Sequence, residues 1–209
     1  MAVALGLAGR FLFGPAHAGR VLAAFYLLGL GGTTYIFGAS LVLLEKSEGT
    51  LQALRSTPLR SRDYIGSKVI TLTAFALLES AIVYGVGFYG VPLDPLPLVL
   101  GITTLGVLYT FVGMGQVASH VSVTSFLMPG ALLVGGVLQL PFLYVLDVGP
   151  DLLWYLIPTQ GPLLLMLGAF EPLETWQWGY AVAMSLIAIG VAGWWSRRRF
   201  ARFVALQEG

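Results

Sequence analysis

Cysteine is absent from the 209 residues, which excludes disulfides, thiol nucleophiles and thiolate metal centres. Histidine occurs only at His17 and His120, far apart and with no companion at ligand spacing, so no metal site is expected. Charge is scarce as well: charged residues make up 10% of the chain and the net charge is +1, which gives no basic field for nucleic acid. No serine stands with a histidine and a carboxylate, and no carboxylates pair in a plausible pocket. No catalytic residue is therefore assigned, and an intramembrane hydrolase or lipid transferase would have only Glu79 and His120 to work with. A phosphate-binding GxxxxGK[ST] loop is missing too, since Gly66-Ser67-Lys68 lacks its spacing and its strand context.

What the chain has is apolar length. Hydrophobic residues reach 57%, with a mean hydropathy of +0.84, more apolar surface than a water-soluble core absorbs. Five runs are long enough to cross a bilayer: 21–44, 69–91, 96–119, 126–146 and 178–195, with Glu79 as the one charge inside them. The first would extend roughly 36 Å as a helix, more than the roughly 30 Å of hydrocarbon. A β-barrel would alternate polar and apolar residues in segments of about 10, whereas these runs are apolar on every face. The fold class expected is an all-α, polytopic membrane helical bundle forming a single domain over residues 1–209. The apolar stretch 1–13 is too short to cross and reads as the tail of a truncated helix. The stretch 152–167, inside an outer loop of 147–176, is broken by Pro158, Gly161 and Pro162 and reads as a re-entrant or interfacial helix pair.

Orientation follows from the bases. Lys46, Arg55, Arg60, Arg62 and Lys68 lie between the first two spans, and Arg197, Arg198, Arg199 and Arg202 in the tail, nine of the eleven lysines and arginines. With five crossings both segments fall on one side, the cytoplasmic one by the positive-inside rule, so the C-terminus is expected in the cytoplasm. Asp94, Asp147, Asp151, Glu171 and Glu174 fall on the other side with no base among them. Arg10 and Arg20 are exceptions, which fits an expectation that a first helix has been lost. Trp154, Tyr155, Trp176, Trp178, Tyr180, Trp194 and Trp195 match interfacial anchoring belts.

The segment 45–68 reads as helix, break, helix. The first span runs on to about Ser47, Gly49 permits a bend, and Thr50 to Ser56 has good helix formers with Leu51 and Leu54 on one face. Thr57-Pro58 ends that short amphipathic helix, and a new one can start at Ser61 with Asp63 near its positive end. From physics alone an ordinary interfacial turn with snorkelling bases fits equally.

These residues resemble the permease subunits of type-2 ABC exporters, including the small ones known as fluoroquinolone or multidrug exporters. The resemblance rests on LLEKSEGTLQALRSTPL at 43–59, on Tyr64 and Lys68, and on YLIPTQGPLLLMLGAF at 155–170, and it runs from about residue 20 to the end. It implies a coupling helix in the first loop, with Glu45, Glu48, Gly49, Thr50, Leu51, Leu54, Thr57 and Pro58 as the residues that meet a separate ATPase subunit. It further implies that ATP and magnesium bind that subunit and no cofactor binds this chain. A second permease copy, identical or not, completes the transporter in the lipid bilayer of the plasma membrane. Pro158, Thr159 and Gln160 take the place of a re-entrant hairpin, and the six spans usual in the family would make 1–13 the remnant of the first.

The implied function is the permease half of an ATP-binding cassette exporter that moves a hydrophobic or amphipathic substrate, such as a drug. Within the spans, Glu79, Tyr109, Gln116 and Gln139 are the candidate pathway residues. A carboxylate at mid-membrane costs roughly 2.5 to 3.5 kcal/mol on insertion scales, so Glu79 must be hydrogen-bonded, protonated or facing a wet cavity. Tyr84, Tyr109, Gln116, Gln139 and His120 are its candidate partners. Two alternatives remain open: a proton-coupled secondary transporter using Glu79, disfavoured by the absence of an inverted repeat, and a non-transporting membrane scaffold. Gly101, Gly106, Gly113 and Gly115, then Gly130, Gly135 and Gly136, are expected to allow close helix contact, and Pro129 and Pro141 to kink the fourth span.

Overall fold

A computed structural model describes residues 17–49, 61–120 and 122–206. The coupling-helix residues Thr50, Leu51, Leu54, Thr57 and Pro58, and the apolar start 1–13, lie outside the described residues. The described residues form helices α1 (Ala18–Ser47), α2 (Ser61–Gly87), α3 (Pro95–Val117), α4 (Val123–Leu133), α5 (Phe142–Val145), α6 (Asp151–Trp154), α7 (Gln160–Leu167) and α8 (Thr175–Leu206), with no strand among them. Five helical stretches are long and apolar enough to cross a membrane, at the five places expected from hydropathy. Their outward faces are apolar: Leu78 is 59% exposed, Leu132 66% and Leu186 64%. Such a surface is matched to acyl chains rather than to water.

The elements begin and end where the sequence supplies the chemistry. Asp94 accepts from the Leu96 amide at 3.1 Å, with Pro95 at the first position of α3. Ser122 does the same for α4, accepting from the Ser125 amide at 3.2 Å. Two of the spans are not uniform. α1 contains a π turn at Tyr26–Leu30, and α4 runs into another at Val134–Leu138. Pro129 is accommodated inside α4, while Pro141 sits in the break between that π turn and α5, so it interrupts the fourth span rather than kinking it.

α3 is the axis of the bundle; glycine lets α7, α1 and α8 reach its backbone, while at Gly106 the approach of α2 leaves room for a Cβ in ordinary contact. A Cβ on Gly101 would lie 2.9 Å from the Met166 amide nitrogen of α7; on Gly106, 3.5 Å from Thr73 Cα of α2; on Gly113, 2.8 Å from the Tyr35 carbonyl of α1; on Gly115, 3.1 Å from Ser196 Cα of α8. In lipid, where burial offers little drive, this dispersion contact is what holds helices together. Gly130 also packs closely, against the Tyr35 ring. Gly135 and Gly136 correct the expectation, because nothing lies within 4 Å of the Cβ either would carry; they belong to the π turn instead.

The broken stretch before α8 forms a helix pair. α6 is short, with Leu152 and Leu153 exposed, whereas all eight residues of α7 are buried. α7 is wedged between α3 and α8: a Cβ on Gly161 would sit 2.9 Å from the Ala181 carbonyl and 3.0 Å from the Ser185 nitrogen. The loop before α3 is tied to the end of this hairpin by the Asp94 amide, which donates to the Ala169 carbonyl at 2.8 Å.

Candidate functional site

Both ends of the loop between α1 and α2 are fixed to one carboxylate. Glu45, in the last turn of α1, accepts from the Tyr64 hydroxyl and from Lys68 Nζ, both in the first turns of α2. Glu45 and Lys68 are each about four-fifths buried, the Tyr64 ring stacks on Phe200 of α8 at 5.3 Å, and Lys68 lies 5.5 Å from the Tyr64 ring centre. Beside Glu45, Lys46 donates to the carbonyls of Ala118 (3.2 Å) and His120 (2.7 Å) at the end of α3. His120 Nδ1 lies 2.9 Å from the Gln116 carbonyl and must carry its proton there, since a carbonyl only accepts. α1 ends at Ser47, Glu48 follows, and Gly49 turns the chain with φ +71°, a left-handed conformation that favours glycine. Arg199 of α8 donates to Ser119 at 3.1 Å, so the facing ends of α1 and α2, the end of α3 and the basic tail share one end of the bundle.

At the opposite end the acids gather round Arg20. Its guanidinium grips Glu171 through two bonds of 2.8 and 2.9 Å and reaches Asp147 at 3.5 Å. This neutralises the base that stood against the positive-inside pattern. Tyr155 is packed here against Tyr144, Trp176 and Tyr180, while Trp194 and Trp195 at the other end lie under Arg198 and Arg199 at 4.2 and 5.0 Å. The two aromatic belts thus mark two separate levels.

Across the middle, the polar side chains are distributed between helix pairs and form no single cluster. Glu79 accepts from the Thr33 hydroxyl of α1 at 3.3 Å. None of its expected partners holds it: Tyr84 donates to the Val91 carbonyl, Gln116 accepts from the Tyr35 hydroxyl at 2.6 Å, and Gln139 donates to the Leu28 carbonyl at 3.0 Å. Tyr109 is fully buried against Gly31, its hydroxyl without a partner among the described residues. Thr33 was missed because a threonine in an apolar run usually bonds its own helix, and the Leu30 carbonyl at 3.2 Å is the other acceptor that its single proton can reach.

The chain matches the model of the fluoroquinolones export permease protein family over residues 14–208. It belongs to that family. Two curated relatives, both named fluoroquinolones export permease protein and both from strains of Mycobacterium tuberculosis, are 33% identical over 181 residues, covering 84% of this chain and 74% of theirs. No solved structure matches the chain. Family membership makes it a membrane permease of an export system, in accord with its five spans.

Around its hairpin the permease has apolar room. A cavity of about 330 Å³ between α3, α4 and α8 is lined by Leu108, Val112, Leu138, Pro158, Ala188 and Trp195. Thr159 donates to the Leu138 carbonyl, fastening the hairpin to the π turn of α4. The Gln160 amide is fully buried, with neither its oxygen nor its nitrogen bonded among the described residues. A second cavity, of about 890 Å³, lies between α2 and α3 near the acidic end, with Tyr84, Tyr89, Leu98 and Ile102 on its walls. Among the described residues no three His, Asp or Glu side chains converge as metal ligands.

Proposed function

We propose that this chain is the transmembrane half of an ATP-driven exporter of amphipathic drugs, fluoroquinolones among them. ATP is hydrolysed on a separate ATPase subunit, and two permease copies complete the pathway. The observation that carries this reading is family membership over nearly the whole chain, alongside relatives named for fluoroquinolone export.

The loop from Glu45 to Lys68 receives the force. Glu48, Gly49, Thr50, Leu51, Leu54, Thr57 and Pro58 form the contact with the ATPase, and Glu45 holds the loop's two ends so that a push on it reaches α1 and α2 together. Support comes from the bonds of Glu45 to Tyr64 and Lys68 and from the left-handed turn at Gly49. The loop and the C-terminus face the cytoplasm of the plasma membrane, while Asp94 and Glu171 face outward. Tyr109, Gln116, Gln139 and Glu79 border the pathway, with Pro158, Thr159 and Gln160 in the outer hairpin.

The test is uptake of a fluoroquinolone into inside-out vesicles holding the permease with its ATPase. ATP should drive uptake, and collapse of the proton gradient should leave it intact. Uptake that needs the gradient and ignores ATP would overturn the reading in favour of a proton-coupled carrier. In intact cells, tags at Arg60 and after Gly209 should be shielded from an external reagent, and tags beside Asp94 and Glu171 should react; the reverse pattern refutes the orientation.

A further inference from the structure

We infer that α1 and α2 carry between them a binding site for a planar aromatic cation, made of the Glu79 carboxylate and the Phe37 and Phe75 rings. This deepens the export reading and rests on it for what the site is for.

The two helices meet in a ladder. Tyr26 donates to the Ser80 carbonyl at 2.8 Å, Thr33 donates to Glu79 at 3.3 Å, and Phe37 meets Phe75 edge to face at 5.7 Å. Phe37 follows Thr33 by four residues and Phe75 precedes Glu79 by four, so the aromatic rung lies one turn, about 6 Å, from the acidic one on the same side of both helices. Both rings are nearly half exposed, at 46% and 45%, and Glu79 is partly exposed beside them.

Charge complementarity names the occupant. Between Arg20 and Lys46 α1 has no base; from Val69 onward α2 has none, and α3 and α4 have none at all. The bases nearest in sequence are engaged at the bundle's ends: Arg20 with Glu171, Lys68 with Glu45. Among the described residues a neutral hydroxyl is the hydrogen-bond partner of Glu79, and one hydroxyl offsets little of a carboxylate's desolvation. A cation arriving from the side supplies the missing charge, and its ring system covers Phe37 and Phe75, whose faces attract cationic and aromatic groups alike. A neutral hydrophobe would gain from the rings alone, and an anion would be repelled.

Equilibrium dialysis tests this on the full chain in lipid nanodiscs, with empty discs subtracted. The probes are ethidium, a planar and permanently charged aromatic, and pyrene, which is neutral. Glu79→Gln should weaken ethidium binding about tenfold or more, the loss expected for one desolvated charge contact, and leave pyrene binding unchanged. Glu79→Asp should hold ethidium within about threefold of the wild type, and Phe37→Leu with Phe75→Leu should weaken both probes. Gel filtration and melting midpoints matching the wild type would establish that the variants are folded. The inference is overturned if the wild type binds ethidium no better than empty discs, if Glu79→Gln changes nothing, or if it weakens both probes equally. It is also overturned if a cysteine replacing Leu78 crosslinks copy to copy, because a second copy would then fill this face. None of these outcomes bears on ATP-driven fluoroquinolone uptake, which stands or falls in the vesicle assay.

Discussion

Adding one methyl group to Gly161 should destabilise the bundle although the same change in most helices is favourable. Alanine is the better helix former by about 1 kcal/mol. At Gly161, however, the new Cβ would fall 2.9 Å from the Ala181 carbonyl and 3.0 Å from the Ser185 nitrogen. Both are backbone atoms of α8, so no side chain can swing aside; α7 or α8 must move. On its other flank α7 meets α3 at Gly101, where the gap to the Met166 nitrogen and Pro162 carbonyl is as narrow. Overpacking of this kind costs about 1 to 3 kcal/mol, so after the propensity gain Gly161→Ala should lose up to about 2 kcal/mol. Gly190→Ala is the control, since it lies in α8 with nothing within 4 Å of its Cβ, and it should be neutral or slightly stabilising. Detergent-solubilised protein is heated and the fraction remaining monodisperse followed by fluorescence-detected gel filtration. If Gly161→Ala melts with Gly190→Ala, α7 is not wedged as described.

At the loop's root, a double-mutant cycle of Glu45→Gln and Lys68→Met should give a coupling energy of about 1 to 2 kcal/mol in unfolding, and strict additivity would mean the ion pair carries no weight. Gly49→Ala meets no neighbour but must adopt φ +71°, so it should cost about 1 kcal/mol, and Gly49→Asn less, as read from their melting midpoints. Arg20→Ala breaks a pair that is 42% and 30% exposed, so its cost should stay at or below about 1 kcal/mol and shrink in high salt; a larger, salt-independent loss would contradict a surface clasp.

The five crossings were legible because lipid leaves a chain no choice: backbone amides must be bonded within the segment, and only long apolar helices do so. The bend at Gly49 was legible for a related reason, since glycine punctuates a helix locally. Pairing between helices was not. Thr33 and Glu79 are separated by 46 residues, and Arg20 and Glu171 by 151, so nothing near either one in sequence announces the other. Glycines were half legible. Small side chains announce that something approaches closely or that the helix is irregular, and only the packed structure separates Gly101, against α7, from Gly135 and Gly136, inside a π turn.

Those π turns bear on how the chain tolerates insertion and deletion. A π turn is an α-helix that has taken in one extra residue without turning the rest about the axis. Removing a residue from an ordinary stretch of α1 would swing everything beyond it by about 100° and carry Thr33 and Phe37 away from α2. Removing Gly29 would instead relax Tyr26–Leu30 to plain α-helix and leave both flanks in register. The same holds for Gly135 or Gly136 in the turn at Val134–Leu138. The two turns touch through Gln139 and the Leu28 carbonyl, so a deletion in one changes the geometry the other was bonded to. Length variation among related permeases should accordingly gather at these two turns, and to arise in both together.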